Sequence, residues 1–332
     1  GPYRVEKYVS GSHVSLSSHD GFFMGTPNID KLIYKILPDP NTQVAQLLSG
    51  ELSMMIVDNP AFVQRFQQAP QVVVDTSAQL NYFFFAPNLK SLYFEDKLVR
   101  KAMMYALDRQ TMVDTLLFGF GTLATGPISP ALKDYYTDQV EQYPFNPDKA
   151  RELLAQAGWT PGNNGTLTKD GEKLQFTLTT PRVQLHVRVA EMAVEYWKKV
   201  GIDAKLEVLE FNTFLSERLL PRDFDMLGGW WVTPPTPDHS PYYHSSGAEK
   251  GNNVPMYDNP EVDKLLEEGQ TTSEIEERIS IYKEFQEIVA DELPYLYLWY
   301  PQEIRARRKE LQMPDIAVRA SLQHINEWSI ES

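Results

Sequence analysis

The chain contains no cysteine, which removes disulfides, thiolate metal sites and thiol catalysis together. It also lacks a basic excess: 31 Lys and Arg stand against 45 Asp and Glu, a formal net charge of −14. That sign opposes phosphate binding and excludes nucleic acid as a partner. No apolar run approaches the ~20 residues of a membrane span, and no signal peptide opens the sequence. A Gly-x-Ser-x-Gly elbow, a P-loop and a dinucleotide fingerprint are all missing. What is there is a chain of 332 residues, 42% hydrophobic, with no long polar low-complexity stretch and room for roughly two domains.

The most informative stretch is Gly229-Trp230-Trp231-Val232-Thr233-Pro234-Pro235-Thr236-Pro237-Asp238, directly after Phe224-Asp225-Met226-Leu227. Prolines are excluded from central strands and helix interiors, so the spacing predicts two adjacent indoles at a strand end on a stiff loop. Broad apolar rings with an N–H donor, held by a rigid scaffold, suit a ligand platform. The alternative for either ring is ordinary core.

Along the chain, Ile29 to Leu37 reads as a strand, Asn41 as the cap of a helix from Thr42 to Ser49, and Leu52 to Val57 as another strand. The opening is therefore expected to be a β-α-β unit. Tyr82-Phe83-Phe84-Phe85, closed by Ala86-Pro87-Asn88, is an aromatic strand. Helices are expected over Lys97–Leu107 with Asp96 as cap, from Asp108 to Gly119, and after the Asn146-Pro147-Asp148 start signal up to Gly158. A hairpin at Asp170-Gly171 precedes a helix from Gln184 to Val200, stopped by Gly201, and a strand through Ala204, Leu206 and Val208. Two more helices follow, one opened by Asn259-Pro260 and one from Thr272 to Ala290, before the aromatic strand Tyr295 to Tyr300. The acidic pair Glu267-Glu268 and the basic run Arg305 to Lys309 read as solvated faces. His239, His244 and Asp238 share the tryptophan loop but lack the spacing of a metal site. Glu207 with Glu210, and Asp223 with Asp225, are carboxylate pairs that read as surface rather than as an acid/base couple.

Several segments together carry a resemblance. Gly1-Pro2-Tyr3, Gly50-Glu51-Leu52 (with Ser53 where an Asp is usual), and Phe94-Glu95-Asp96 through Leu107-Asp108-Arg109 occur in this order. Asn146-Pro147-Asp148-Lys149-Ala150 through Ala157-Gly158-Trp159, and Asn259-Pro260-Glu261-Val262-Asp263, follow them. In order and over nearly the whole chain they resemble the C-terminal part of the large bacterial solute-binding proteins of the oligopeptide, dipeptide and nickel class, which deliver ligands to ABC importers. The resemblance implies an α/β, two-lobed, type II periplasmic-binding-protein-like fold closing on its ligand about two hinge strands. The N-terminal segment and a small extra domain would be missing. It implies a partial first lobe over residues 1–80, a second lobe over 81–293, and a hinge strand returning to the first lobe over 294–332. A chain that starts Gly1-Pro2-Tyr3 without an initiator Met is expected to be cut from something longer.

The implied function is the extracytoplasmic binding component of an ABC importer, periplasmic or membrane-anchored outside the cell, monomeric, partnered by a membrane permease, without enzymatic activity, cofactor or metal. Oligopeptide binders of this class carry an aspartate for the peptide amino group where this chain has Thr233, and a second acidic position is occupied by Thr236. A buried ammonium without a carboxylate is costly, so an oligosaccharide stands beside an oligopeptide as the expected ligand. The segment from Glu210 resembles the one that places an aromatic and an arginine near the ligand, here Phe211 and Arg218. The candidate contacts are Trp230, Trp231, Thr233, Phe211 and Arg218, with Tyr82, Phe85 and Asn88 from the aromatic strand. A ligand-sensing domain of a regulator and a glycan-active enzyme are the alternatives from other classes.

Overall fold

A computed structural model describes residues 1–162, 165–314, 322 and 324–331. The chain forms two compact units, one made of Gly1–Ser77 and Gln302–Ser332, the other of Ala78–Pro301.

The smaller unit opens with β1 (Tyr3–Val9), β2 (His13–Ser18) and β3 (Lys31–Lys35), joined as an antiparallel meander. Helix α1 (Pro40–Ser49) follows, then β4 (Met54–Ile56), α2 (Val63–Gln67) and β5 (Val72–Ala78). The expected β-α-β opening is not what forms. β3 pairs with β2, whereas β4 runs antiparallel to a strand from the C-terminal part of the chain. Local pattern fixes elements but not partners. The cap of α1 is Asp39 rather than Asn41: its carboxylate accepts from the Thr42 N–H at 2.7 Å, and Pro40 takes the first helical position, where its missing N–H costs nothing.

In the larger unit, β6 (Tyr82–Pro87) precedes α3 (Lys97–Tyr105), α4 (Arg109–Leu116), the short β7 (Gly121–Leu123) and α5 (Pro147–Gln156). Asp96, Asp108 and Asn146 cap the three helices with their side-chain oxygens. β8 (Thr160–Pro161), β9 (Leu167–Lys169) and β10 (Glu172–Lys173) make a small antiparallel sheet, turning at Asp170-Gly171, where both residues have positive φ. Then come β11 (Gln175–Pro181), α6 (Gln184–Lys198) and β12 (Asp203–Leu209), a parallel strand-helix-strand unit. A helical turn α7 (Phe211–Thr213) runs straight into a π-helical turn, Phe214–Leu219. β13 (Met226–Trp231), α8 (Ser240–Tyr243), α9 (Pro260–Thr271), α10 (Ile275–Glu292) and β14 (Leu296–Arg308) complete the unit. β14 continues past Pro301 into the smaller unit, where β4 and β5 pair with it. β15 (Leu311–Gln312) and β16 (Ser329–Ile330) close the chain as an antiparallel pair.

The sheet of the larger unit has the order β12-β11-β13-β6-β14, with β7 on β14. β11, β12 and β13 run parallel, β6 runs against β13, and β14 against β6. Helix α6 covers one face. Its buried stripe is His186, Val189, Ala190, Ala193 and Trp197, which places a histidine on an otherwise apolar face. The other face is covered by aromatics from α8 and α10. There Tyr82, Tyr243 and Tyr297, each no more than 1% exposed, link hydroxyl to hydroxyl, at 3.2 Å for Tyr82–Tyr243 and 2.9 Å for Tyr243–Tyr297. Desolvation raises all three phenols well above their ordinary 10.0.

The basic run also differs from expectation. Arg305 is 1% exposed and bonds Glu303 at 2.7 Å, while Arg307 pairs with Asp75. Because they lie in β14, their side chains belong to the sheet rather than to a solvated face.

Candidate functional site

In a sheet of parallel strands with helical crossovers, ligands are received at the carboxyl ends of the strands. In the larger unit that edge is marked by Pro181 of β11, Leu209 of β12 and Trp231 of β13. Side chains on a strand alternate between faces, so the two adjacent indoles separate. Trp230 turns to the α6 side, 4.4 Å from the His186 ring, with Phe211 at 6.4 Å. Trp231 turns to the other face, against Tyr242 at 4.7 Å and Phe84 at 5.7 Å. One indole thus belongs to a half-open aromatic row and the other to the packing around α8.

The row continues inward: His186 lies 5.0 Å from Phe83, and Phe83 stacks on Trp299 at 5.4 Å. Phe211 at its outer end is 46% exposed and Val232 beside Trp231 is 51% exposed. The outer end of the row, Phe211, is therefore offered to solvent at the receiving edge, while His186, Phe83 and Trp299 behind it are buried. His186, 6% exposed, is held down to about 4 by burial, so the ring is neutral at physiological pH and the row carries no charge of its own. Sequence reasoning passed over His186. The available signal was a polar residue on the buried stripe of an otherwise apolar helix face.

The remaining candidates fall elsewhere. Tyr82 and Phe85 are 0% and 1% exposed, and Phe85 packs edge-on against Trp197 at 5.1 Å, so both belong to the core. Thr233 is 1% exposed, and its hydroxyl donates to the Leu80 carbonyl at 2.8 Å. It ties the tryptophan loop to the start of β6 and presents no polar atom outward. Asp238, the acid of that loop, accepts from the Ser240 N–H at 2.9 Å and from its hydroxyl at 2.6 Å. His239 is fully buried with Nδ1 against the Pro237 carbonyl, and His244 faces Glu267 at 3.3 Å. Among the described residues no group of three His, Cys, Asp or Glu is placed to hold a metal ion.

Asn88 and Arg218 come together around a different, polar pocket of about 330 Å³, lined also by Thr177, Thr179, Glu207 and Arg222. Asn88 donates to the Phe224 carbonyl at 3.0 Å and accepts from the Lys90 N–H at 3.0 Å. Arg218 forks onto Glu207, with Nε and Nη2 each 2.9 Å from a carboxylate oxygen. The Arg218 hydrogen bond, with a further one from Thr179, holds Glu207 below the usual carboxylate range against its desolvation.

Residues 1–253 match the family described as bacterial extracellular solute-binding proteins, family 5, middle, and the chain belongs to that family. It is 32% identical over 332 residues to the oligopeptide-binding protein AppA of Bacillus subtilis, covering 99% of this chain and 61% of that protein. With the dipeptide-binding protein of Escherichia coli it shares 26% identity over 94% of this chain and 57% of the relative. The solved structure of Bacillus subtilis AppA in complex with a nonapeptide superposes with a TM-score of 0.75 at 31% identity, over all of this chain and 66% of that one. The fold is the α/β fold of type II periplasmic binding proteins, and the chain spans about three fifths of the curated relatives it matches. Among the described residues no helix is long and apolar enough to cross a membrane.

Proposed function

We propose that this chain serves the extracytoplasmic substrate-binding component of an ABC importer and receives an oligopeptide on the Trp230–Phe211 platform. The observation that carries this reading is the aromatic row whose outer end, Phe211, is exposed at the carboxyl edge of the parallel strands, in a chain whose relatives include an oligopeptide-binding and a dipeptide-binding protein by name. Rings of this kind bury apolar surface of any side chain, while a peptide backbone finds its hydrogen bonds on neighbouring strand ends. Delivery to a membrane permease, a place outside the cytoplasm, a monomeric state, and capture by closure about two hinge strands belong to the same proposal.

A second reading has its own support. The tryptophan loop offers no free carboxylate for an ammonium, because Thr233 is buried and Asp238 is engaged by Ser240. A neutral oligosaccharide, which stacks C–H faces on indole, would need none. Calorimetry of the whole protein against a pool of nonapeptides and a pool of oligosaccharides separates the two. Trp230→Ala is expected to weaken the productive titration by ~1–3 kcal/mol through lost stacking and buried area. Unchanged binding in Trp230→Ala would remove the platform from the site.

A further inference from the structure

The family-like position of Arg218 suggests a residue that grips the ligand, but the guanidinium is already occupied. Nε and Nη2 take both oxygens of Glu207 at 2.9 Å, and Nη1 reaches Asp223 at 3.2 Å. A bidentate fork is the geometry an incoming carboxylate would have to displace. Glu207 is itself anchored, since Oε2 also accepts from the hydroxyl of Thr179 at 2.8 Å, and Thr179 is 1% exposed on β11. Arg218 is therefore bolted, through one carboxylate, to two neighbouring strands of the sheet.

The segment that this bolt closes off is the one that carries Phe211. Chain leaves β12 after Leu209, turns through Phe211–Thr213, and continues without a break into the π-helical turn Phe214–Leu219. A π turn is rare and intrinsically unfavourable, so it persists where surrounding contacts hold it. Three contacts do so here. Phe214 is buried in the core at 5% exposure. Arg222, with positive φ, donates from Nη1 to the Leu219 carbonyl at 2.6 Å at the end of the turn. The Arg218 fork ties the last turn back to β12. Phe211 has no comparable anchor: it is 46% exposed and its ring partner is Trp230 at 6.4 Å. Where its ring stands is set by the backbone that carries it.

We propose that Arg218 is a positioning residue of the aromatic platform: its fork on Glu207 closes residues 207–218 into a fixed loop that holds Phe211 opposite Trp230, and it does not contact the ligand. The proposal deepens the platform reading and rests on it. Closing a loop of this length removes conformational freedom that Phe211 would otherwise lose on binding. Glu207 and Arg218 act as one unit, and breaking either end has the same consequence.

Trp230 labelled with 5-fluorotryptophan gives a ligand-free readout by fluorine NMR. Glu207→Gln and Arg218→Gln are each expected to shift or broaden the Trp230 resonance in the same direction, with the double variant no different from either single. The charge-exchanged pair, Glu207→Arg with Arg218→Glu, is expected to restore the line. On the whole protein, titrated with a nonapeptide and with its C-terminal amide, both single variants should lose about tenfold in affinity, non-additively and equally for the two peptides. Loss confined to Arg218→Gln and to the free-acid peptide would overturn the proposal in favour of a direct contact. An unmoved Trp230 resonance in both single variants would overturn it as well. Phe211→Ala and Trp230→Ala keep the two readings apart: if neither weakens binding, the platform itself fails, whereas if both do and Glu207→Gln does not, only the positioning role fails.

Discussion

His186 gives the sharpest quantitative expectation. Its imidazole sits in the first turn of α6, 6% exposed, between the Phe83 ring at 5.0 Å and Trp230 at 4.4 Å. Burial lowers its pKa from 6.5 to about 4. The unfolded chain therefore binds a proton on this group over a window in which the folded chain does not. Stability is unaffected above pH 6.5 and falls as pH drops from 6.5 towards 4, with a limiting slope of about 1.4 kcal/mol per pH unit, reaching about 3 kcal/mol in all. His186→Leu removes the titrating group while keeping an apolar filling of similar size. Urea unfolding of both proteins between pH 7 and pH 4, followed by tryptophan fluorescence, isolates the effect, because every tryptophan but Trp328 lies in the larger unit. The difference between the two stability curves should be flat near neutrality and then move in favour of the leucine variant by about 3 kcal/mol at the acid end. Parallel curves, or an NMR titration placing the His186 midpoint at or above its ordinary value, would refute the argument.

Further outcomes follow from other contacts. Thr233→Val keeps the shape of the side chain but leaves the Leu80 carbonyl without its donor, and should cost about 1–2 kcal/mol of stability by denaturant titration. Thr233→Asp places a carboxylate against that carbonyl in a 1% exposed site and should cost clearly more; an equal or smaller loss would show that the loop swings open. At Gly201, with φ +89°, an added Cβ would lie 2.8 Å from Leu167 Cγ and 3.2 Å from the Gly165 carbonyl oxygen, so Gly201→Ala should lower stability by about 2–4 kcal/mol, and a neutral result would contradict the packing there. Asp291 is opposed by its desolvation but carried down to about 2 by Lys101 and Lys97. Its contribution is present above the ordinary carboxylate range and is lost as pH falls through about 2, so Asp291→Asn should flatten the acid limb of the stability profile, and an unchanged limb would sink the assignment.

The elements that were legible in the sequence are those whose signals are local. Asp96, Asp108 and Asn146 cap the helices that follow them, Gly50 and Gly201 adopt positive φ at helix ends, and β11-α6-β12 forms as a parallel unit. Pairing across the chain was not legible. Nothing in the composition of β3 or β4 says that the first joins a meander and the second waits for β14, because both read as short apolar runs bounded by turn residues. The same limit divides the site. Trp230 and Phe211 were visible as rings on a loop and at a helix start, but the parity that sends Trp231 the other way requires knowing where β13 begins. Tyr82, Phe85 and Thr233 share the look of ligand residues because aromatics and short hydroxyl side chains serve a core as readily as a cleft. The hydroxyl acceptor of Thr233 lies 153 residues away, beyond any window of sequence.

The phenol chain in the core of the larger unit has a spectroscopic consequence. Tyr82, Tyr243 and Tyr297 are linked in series through their hydroxyls, so removing a proton from any one strands a charge in the buried interior beside two other rings. Burial opposes phenolate formation at all three while the unit stays closed. In an alkaline titration their share of the ultraviolet phenolate band, like that of the buried Tyr295 and Tyr300, is therefore expected late, with the opening of the structure. Returning the solution to neutrality retraces that step only as fast as the unit refolds. That late part of the band then works as an intrinsic indicator of opening, written into the protein by its own buried phenols, without any added dye.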